Sequence, residues 1–392
     1  MITFFTICFW SCLALLFYAY IGYGMLLFSL IRIKRLLGID RPQAFSDEYL
    51  PEVTLLVAAY NEADFIEEKI HDSLAIDYPK GKLKFLFVTD GSDDGTPDII
   101  ARYPEIKLMH QPPRAGKIAA VHRAMPHVDT PITIYTDANT YLNKDVVRKI
   151  VRHYEDPRVG AVAGEKRIHS KSTDSASGAG EGIYWKYESA LKKWDSELYS
   201  VVGAAGELFS IRTDLHEEIP TDTVIEDFYT TMRIAQKGYR VRYEPEAFAT
   251  EGPSASVKEE LKRKIRIAAG GIQAIVRLAP VLNIFKYGML SFQYVSHRVL
   301  RWTLGPIALF LLMLSNLVLA AQGVQLFQGL LIAHIGFYVA AFLGYLLEKR
   351  QLKVKAFFVP YYFFIMNYAC YAGFLRYVKG SQSVLWERAK RG

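Results

Sequence analysis

The stretch VTLLVAA at residues 53–59 decides the fold. A short, almost entirely apolar run is typical of a strand that is buried on both faces of a sheet. The next stretch, YNEADFIEEKIHDSLA at residues 60–75, changes to helical spacing, with Phe65, Ile66 and Ile70 on one side. A buried strand followed directly by an amphipathic helix indicates the start of an α/β domain.

The alternation of strand and helix continues along the chain. Further strands are predicted at KFLFVTD (84–90), IKLMHQ (106–111) and PITIYTD (131–137). Helices are predicted within GSDDGTPDIIARY (91–103) and GKIAAVHRAM (116–125). This order favours a mostly parallel sheet flanked by helices, because parallel neighbours need a crossover of this length.

Polar residues follow three of these strands at the point where each strand ends. They occupy residues 60–62, 90–94 and 137–139. The carboxyl ends of parallel strands share one edge of a sheet, where ligands collect, so these residues indicate a binding site. Turns and helix caps also favour Asp, Asn, Gly and Ser, and this structural interpretation stays open for TDGSDDGT.

Several classes of protein are excluded or disfavoured. Neither a G-x-G-x-x-G after the first strand nor a P-loop occurs, which argues against a dinucleotide oxidoreductase and a P-loop enzyme. The three cysteines, Cys8, Cys12 and Cys370, lie in apolar segments and indicate neither a disulfide framework nor a zinc site. Lys117 stands at a predicted helix start, where it either favours an anion or is simply solvated.

The region after the fourth strand is less regular. SKSTDSASGAGEG, residues 170–182, is rich in small residues and is predicted to be a loop, serving as a lid or as a linker. A helix is expected in YWKYESALKKWDSEL, residues 184–198. Glu226 and Asp227 open another predicted helix, where acids are often only caps that interact with the helix dipole.

Three charge-poor regions indicate membrane segments. No charged side chain occurs in residues 1–31 or 356–375, and residues 302–347 contain no acid, Lys or Arg. About 20 apolar residues span a bilayer, so we expect one span before residue 35 and two between 302 and 347. Residues 356–375 either cross fully or turn back. The N-terminal segment lacks a basic start and is expected to stay as an anchor.

Basic clusters beside these segments indicate the orientation. RIKR (32–35), HRVLR (297–301) and EKRQLKVK (348–355) place the central part of the chain on the cytoplasmic side of the plasma (inner) membrane. The net charge of +7 therefore reflects topology and contact with membrane lipid, and no nucleic-acid partner is expected. Residues 272–298 fit either interfacial helices or core helices of the soluble domain.

The predicted organisation has five parts. They are an N-terminal transmembrane anchor (1–35), a cytoplasmic α/β domain (50–270), interfacial amphipathic helices (271–298), C-terminal transmembrane helices (299–378) and a basic tail (379–392).

Six stretches in this order and spacing resemble the membrane-bound, processive-type branch of glycosyltransferase family 2, which includes cellulose, hyaluronan and poly-N-acetylglucosamine synthases. The stretches are VAAYNEA, VTDGSDDGT, RAGKIAA, YTDANT, GAAGELF and IEDFYTTMRIAQKGYRV. The resemblance implies a type A glycosyltransferase fold that binds a nucleotide-sugar donor, a divalent metal (Mg²⁺ or Mn²⁺), and inversion at the anomeric carbon.

The resemblance also implies roles for individual residues. Asp137 would bind the metal, and Asn139, which stands where the family usually has a second acid, would contact the metal or the donor. Asp227 would be the catalytic base, with Glu226 in support. Donor contacts are implied for Ala58, Tyr60, Glu62, Asp90, Lys117 and Asp137.

The last family motif, Gln-x-x-Arg-Trp, is altered. The corresponding stretch LKRKIRIAAGG retains Arg263 and Arg266 but has no glutamine and no following tryptophan. The two arginines either pair with the donor diphosphate or lie at the membrane surface.

The expected function is transfer of a hexose or N-acetylhexosamine from a nucleotide-diphosphate sugar, expected to be a UDP-sugar, to a glycan or lipid-linked acceptor. The alternative within the enzyme class is a processive polysaccharide synthase that also exports its product, alone or with export partners. The alternative from another class is an inactive membrane scaffold, for which Asn139 is the only support. A transporter is disfavoured, because His334 and Asn367 are too few polar residues within the spans.

Overall fold

A mixed eight-stranded sheet lies at the centre of the computed structural model, which describes residues 1–39, 46, 48–168, 176–252, 257–350 and 354–382. The strands are β1 Val53–Ala59, β2 Leu83–Asp90, β3 Ile106–Gln111, β4 Ile132–Asp137, β5 Tyr141–Leu142, β6 Val159–Ile168, β7 Leu208–Arg212 and β8 Arg240–Glu251. Their order across the sheet is β3-β2-β1-β4-β7-β6-β8-β5.

The first half of the sheet is parallel, as the sequence predicts. β1 pairs in parallel with β2 and with β4, and β2 pairs in parallel with β3. The crossovers contain α3 Ala63–Leu74, α4 Thr96–Ile100 and α5 Lys117–Ala124. The loops that follow β1, β2 and β4 therefore meet at one edge of the sheet.

The second half of the sheet is mixed. β7 runs antiparallel to both β4 and β6, whereas β8 runs parallel to β6 and antiparallel to β5. The predicted α/β architecture is confirmed, but the sheet is mixed because β7 is reversed. Because β7 starts where β4 ends, with Leu208 opposite Thr136, residues just before Leu208 reach the edge that carries the polar loops.

Apolar side chains cover both faces of the sheet. Leu56 of β1 and Val88 of β2 lie in one core cluster with Phe228, and Leu55 and Phe87 lie in the other. These residues are at most 5% exposed. The alternating direction of side chains along a strand explains why an uninterrupted apolar run is needed in β1.

Four further helices complete the domain. They are α6 Val146–Val151, α7 Ala176–Leu198, α8 Glu226–Gln236 and α9 Val257–Arg277. The prediction of a loop over residues 170–182 is wrong from Ala176 onward, where α7 begins; this stretch has no proline to interrupt the helix. Residues 169–175 lie outside the described residues. The predicted domain boundary at residue 270 falls inside α9.

Three helices in the described ranges are long and apolar enough to cross a membrane: Ile2–Leu36, Leu304–Ala321 and Gln325–Lys349. The first consists of α1 Ile2–Phe17, a π-helical turn Tyr18–Gly22 and α2 Tyr23–Leu36. The second and third are α13 and α14. These helices occupy the regions in which the sequence predicts one span and two spans.

The last helix, α15 Lys355–Val378, is not one of these three candidate spans. It runs as one helix of 24 residues, which excludes a reversal of the chain between its ends. Gly373 of α15 lies against Ala268 and Ala269 of α9, where a Cβ atom on the glycine would approach within 2.6 Å of Ala268. α15 is therefore packed closely against the α/β domain.

Short helices connect α9 to α13. They are α10 Ile284–Tyr287, α11 Met289–Tyr294 and α12 Leu300–Trp302, with a π-helical turn Val295–Val299 before α12. Phe285 in this segment is 98% exposed and Ile284 is 51% exposed. Exposed large apolar side chains on short helices are typical of a segment that lies at a membrane interface.

A buried polar network joins the domain to the membrane helices. Asp195 of α7 accepts a hydrogen bond from the Tyr23 hydroxyl of α2 at 2.5 Å and lies 2.5 Å from His297 Nδ1. His297 Nε2 is 3.2 Å from Glu188 Oε1, and Arg301 Nε donates to the Ala19 carbonyl at 2.8 Å. Such charged contacts need complementary partners when buried, so they fix how the domain sits on its anchor.

Candidate active site

The three polar loops line one cleft at the carboxyl edge of the parallel strands. Seven of the residues that the sequence singles out line it: Ala58, Tyr60, Glu62, Asp90, Lys117, Asp137 and Asn139. Arg114 and Gly116, for which the sequence predicts no role, also line the cleft.

Asp90 connects the loop that follows β2 to the start of α5 by hydrogen bonds. Its carboxylate accepts hydrogen bonds from the backbone N–H groups of Ala115 at 3.0 Å and of Gly116 at 2.6 Å. Asp90 is only 4% exposed, and the Arg123 guanidinium lies 3.8 Å away. These backbone N–H groups orient the carboxylate at the inner end of the cleft.

Arg114 closes one wall of the cleft. Its guanidinium lies over the ring of Tyr60, 3.6 Å from the ring centroid, as in a cation–π contact. Gly91 makes this arrangement possible, because it has a φ of 72° and a Cβ atom there would lie 2.6 Å from Arg114 Cβ. The stacked pair of side chains offers a flat surface on which a planar ring can stack.

The other acids of TDGSDDGT have a structural role. Asp93 accepts a hydrogen bond from the Asn61 side chain at 2.8 Å, and Asp94 accepts one from the Ala63 backbone N–H at 3.0 Å. Asn61 has a φ of 53°, which these contacts hold in place. In this stretch Asp90 therefore faces the cleft, while Asp93 and Asp94 shape the turn.

Lys117 joins two parts of the site. Its Nζ atom lies 2.8 Å from Asp137 Oδ1 and 2.9 Å from Glu226 Oε1. Burial opposes the charge on Lys117, but the two carboxylates outweigh it and raise the pKa of Lys117 above its ordinary value. The ammonium therefore stays charged between the strand edge and the start of α8.

Asp227 differs from its neighbour Glu226 in protonation. Burial and the adjacent Glu226 carboxylate raise the pKa of Asp227 to about 7. Burial also acts on Glu226, but Lys117 outweighs it and holds the pKa of Glu226 below its ordinary value. Two adjacent carboxyl groups with separated pKa values are typical of acid–base chemistry.

Asp227 faces the same region as Lys117. Both groups lie close to Gly206. A Cβ atom placed on this glycine would be 3.4 Å from Asp227 Oδ2 and 3.6 Å from Lys117 Nζ. The cap interpretation of Glu226 is thus incomplete, since its side chain also pairs with Lys117 of α5.

Glu207 belongs to the site but was missed by sequence reasoning. It directly precedes the reversed strand β7, and its Oε1 atom lies 2.5 Å from Lys166 Nζ. Burial opposes its charge, but Lys166 and Arg263 outweigh it and hold the pKa of Glu207 well below its ordinary value. Its negative charge acts on both Asp137 and Asp227. The available signal was the acid at the end of GAAGE, just before an apolar strand.

The two arginines of α9 have different surroundings. Arg263 lies among carboxylates, 3.1 Å from Glu260, 3.4 Å from Glu251 and 3.9 Å from Glu207. Arg266 lies close enough to Glu226 to lower the pKa of that carboxyl group. Neither arginine lines the cleft described above.

The residues of the cleft fit a divalent cation shared with a phosphate ligand. Asp137 and Asn139 line the same wall and provide a carboxylate and an amide oxygen. No group of three His, Cys, Asp or Glu side chains suited to a metal occurs among the described residues, so the protein alone would not form a complete cage. Mg²⁺ and Mn²⁺ are commonly held by one or two protein oxygens together with substrate phosphates.

Comparison with known proteins identifies the domain. The model of the family described as Glycosyl transferase family 2 matches residues 54–219. Poly-beta-1,6-N-acetyl-D-glucosamine synthase of Staphylococcus aureus (strain MSSA476) is 26% identical over 262 residues, which cover 65% of this chain and 62% of that protein. The synthase of the same name from Staphylococcus epidermidis is 22% identical over 279 residues and covers 69% and 66%. The chain thus matches less than two thirds of the length of either relative.

A solved structure resembles nearly the whole chain. It is the mannosyltransferase PcManGT from Pyrobaculum calidifontis, in complex with GDP-Man and Mn2+, with a TM-score of 0.70 and 24% sequence identity. The likeness covers 94% of this chain and 97% of that one. It confirms the predicted fold, including the helices that flank the α/β domain.

Proposed function

Since residues 54–219 form a domain of glycosyl transferase family 2, we propose that this membrane protein is an inverting glycosyltransferase. It transfers a hexose or N-acetylhexosamine from a nucleotide-diphosphate sugar to a glycan or a lipid-linked acceptor. The observation that carries the proposal is the position of Asp227, a carboxyl group with a pKa of about 7, beside the Lys117 ammonium that also contacts Asp137.

The nucleotide binds in the cleft beneath the three loops. The base lies against Tyr60 and Arg114, whose side chains are already stacked, and Asp90 accepts a hydrogen bond from the base or the ribose. The diphosphate lies towards Lys117 and Asp137. This orientation matches each part of the donor with side chains of suitable chemistry.

Asp137 and Asn139 would hold the divalent cation, which would supply positive charge against the charge that develops on the departing nucleotide diphosphate. Lys117 stabilises the same negative charge. Burial raises the pKa of Asp137 above its ordinary value, and the ion pair with Lys117 opposes that rise. Because Asn139 is uncharged, the site has only one charged ligand, and its affinity for the metal is lower than that of a site with two carboxylates.

Asp227 acts as the base. The acceptor hydroxyl attacks the anomeric carbon on the face opposite the leaving nucleotide, so the configuration inverts, and Asp227 takes the hydroxyl proton. A pKa near 7 suits a base that must be ionised before the reaction and accept a proton during it. Glu226 stays ionised beside Lys117 and orients it.

The first donors to test follow from the names of the similar proteins. The staphylococcal relatives are named as poly-beta-1,6-N-acetyl-D-glucosamine synthases, and PcManGT was solved with GDP-Man. We propose a UDP-sugar, with UDP-N-acetylglucosamine ahead of GDP-mannose, because the relatives detected by sequence carry the former sugar in their name.

The active site faces the cytoplasm at the inner membrane. The basic clusters next to the candidate spans support this orientation, and the exposed Ile284 and Phe285 support contact of the connecting segment with lipid. A lipid-linked acceptor can then reach Asp227 without leaving the bilayer surface.

A processive synthase is the second candidate, favoured by the likeness to the staphylococcal synthases. Repeated extension predicts a ladder of products of increasing length, whereas a single transfer predicts one product. An inactive scaffold, the candidate from another class, predicts no release of nucleotide diphosphate with any donor.

The proposal is tested with the full-length protein in detergent, Mn²⁺, a panel of nucleotide sugars and bacterial membrane lipids as acceptor. We expect release of nucleotide diphosphate and a product heavier by one or more sugar units in mass spectrometry. Asp227→Asn should lower transfer by roughly a thousandfold, as expected for loss of a positioned base.

Asp214→Asn is the matched control, because Asp214 is an exposed carboxylate outside the cleft. Its transfer rate should equal that of the unchanged protein. Absence of nucleotide diphosphate release with every donor, or full activity of Asp227→Asn, would contradict the proposed function.

A further inference from the structure

A second cluster, outside the donor cleft, surrounds the indole ring of Trp185. Three lysine Nζ atoms lie near the ring centroid: Lys166 at 5.0 Å, Lys264 at 5.4 Å and Lys192 at 5.8 Å. The lysines belong to β6, α9 and α7, so three distant parts of the chain meet at one partly buried ring. Neither Trp185 nor Lys192 lines the donor cleft.

The charges of this Trp185 cluster are nearly balanced. Three cations, Lys166, Arg263 and Lys264, pair with three carboxylates, Glu207, Glu251 and Glu260. The fourth cation, Lys192, makes no salt bridge with the described residues, but the negative charges of Glu188 and Glu165 act on it. A phosphate-binding site would need an excess of cations. An aromatic face beside balanced charged groups instead favours a neutral ligand that is rich in hydroxyl groups.

Lys192 is the unusual member of the cluster. It is only 4% exposed, and its Nζ atom makes no hydrogen bond and no salt bridge with any residue that the structure describes. Its Nζ atom also lies 5.9 Å from the centroid of the Tyr243 ring, and the charges of Glu188, Arg298 and Glu165 act on it. A buried ammonium without hydrogen bonds is costly, and burial lowers the pKa of Lys192.

The hydroxyl group of Tyr243 is in the same situation. It is buried and has no hydrogen-bond partner in the described part of the chain. Buried polar groups in proteins are almost always hydrogen-bonded, so an exception needs an explanation, and a bound partner is one. Lys192 and Tyr243 thus provide two groups that a ligand hydroxyl can satisfy beside one aromatic face.

The Trp185 cluster is connected to the proposed base. Lys166, 5.0 Å from the Trp185 ring centroid, lies 2.5 Å from Glu207, and the Glu207 charge acts on Asp227. The Lys192 ammonium and the Glu207 carboxylate also act on each other electrostatically. A chain of neighbouring groups therefore leads from Asp227 to Trp185 by way of Glu207 and Lys166.

We propose that Trp185, Lys192 and Tyr243 form a subsite for a neutral sugar residue of the acceptor. The sugar stacks its apolar face on Trp185, and its hydroxyl groups contact the Lys192 ammonium and the Tyr243 hydroxyl. This inference rests on the proposed function, since it assigns an acceptor to the same reaction.

The test measures sugar binding and nucleotide binding separately in the full-length protein in detergent. The probes are short oligomers of N-acetylglucosamine and of mannose, followed by saturation-transfer NMR, and UDP and GDP, followed by calorimetry. We expect Trp185→Ala to weaken binding of at least one oligomer about tenfold, while Trp185→Phe retains most of it, because phenylalanine keeps an aromatic face.

Lys192→Met should raise the KM for the acceptor several-fold and leave the KM for the donor unchanged. Trp194→Ala and Lys193→Met are the matched controls on the same helix, since Trp194 packs on Phe28 of the anchor and Lys193 is exposed. Both controls should bind the oligomers as the unchanged protein does.

The subsite would be contradicted if Trp185→Ala bound the oligomers as well as the unchanged protein while nucleotide binding stayed intact. It would equally be contradicted if no oligomer bound saturably to an unchanged protein that binds nucleotide. An unchanged protein that binds no nucleotide would contradict the proposed function itself, so the two failures are distinguishable.

Discussion

The donor side and the acceptor side of the site are held together by different kinds of contact. The donor side, residues 58–62, 90, 114–117 and 137–139, depends on backbone hydrogen bonds such as those from Ala115 and Gly116 to Asp90. The acceptor side, Glu207, Asp227 and the Trp185 cluster, depends on ion pairs between β6, β7, β8 and α9. The shape of the donor side therefore depends on the backbone of the sheet and its loops, whereas the shape of the acceptor side depends on which charged side chains are present.

Lys117 is the group that links the two sides, so its replacement should lower the rate of transfer more than the substitutions of Asn139 and Glu207 below. Lys117→Met leaves Asp137 and Glu226 without their shared counter-charge, and we expect transfer to fall at least about a hundredfold, because electrostatic stabilisation of the leaving group is lost. Steady-state kinetics with saturating donor measure this loss.

Lys107→Met serves as control for that experiment, since Lys107 is exposed on β3. Equal rates for Lys117→Met and the unchanged protein would mean that the two sides function without this link.

Asn139→Asp should change the donor side alone. A second carboxylate beside Asp137 should bind the divalent cation more tightly, and we expect the Mn²⁺ concentration that gives half-maximal activity to fall about tenfold. The acceptor KM should not change. A metal titration at fixed donor and acceptor checks both statements, and an unchanged titration curve would remove Asn139 from the metal site.

Asp227→Asn should stabilise the protein while it inactivates it. The pKa of Asp227 is raised to about 7 in the folded state, so the stabilisation present at low pH is lost as the pH rises through 7. Asparagine carries no such penalty. We expect the thermal midpoint of Asp227→Asn to exceed that of the unchanged protein by roughly a few degrees at pH 8, and by less at pH 5.

Thermal scans at the two pH values measure this difference. A lower midpoint for Asp227→Asn at pH 8 would show that the carboxylate is stabilising in the folded state, contrary to its assigned environment.

Glu207→Gln alters the acceptor side and should give the smallest change, which is a shift in the pH–rate profile. The Glu207 charge raises the pKa of Asp227, so its removal should shift the acidic limb of the pH–rate profile to lower pH by a fraction of a unit. Donor binding should be retained. A shift to higher pH would contradict the sign of this interaction.

The same division explains what the sequence could predict. The strands β1 to β4 and the loops after them follow from local patterns, and the predicted cleft residues from Ala58 to Asn139 lie together. The reversed strand β7 has no local signature of its direction, so Glu207 was not recognised. Trp185 was also missed, because its partners Lys166 and Lys264 are brought to it only by tertiary packing.

The helix over residues 176–182 shows another limit of sequence reasoning. Its small residues resemble a linker by composition, but in the structure they form the first turns of the long helix α7. For Arg263 the resemblance left two roles open, a diphosphate ligand or a charge at the membrane surface, and in the structure its guanidinium lies among Glu207, Glu251 and Glu260.

The pH dependence of sugar transfer tests the assignment of Asp227 most directly. We expect kcat/KM of the unchanged protein to rise about tenfold per pH unit up to an apparent pKa of about 7 and then to level off, because only the ionised carboxylate accepts the acceptor proton. A rate that is constant between pH 5.5 and 8.5, with donor saturated and the protein folded throughout, would contradict it.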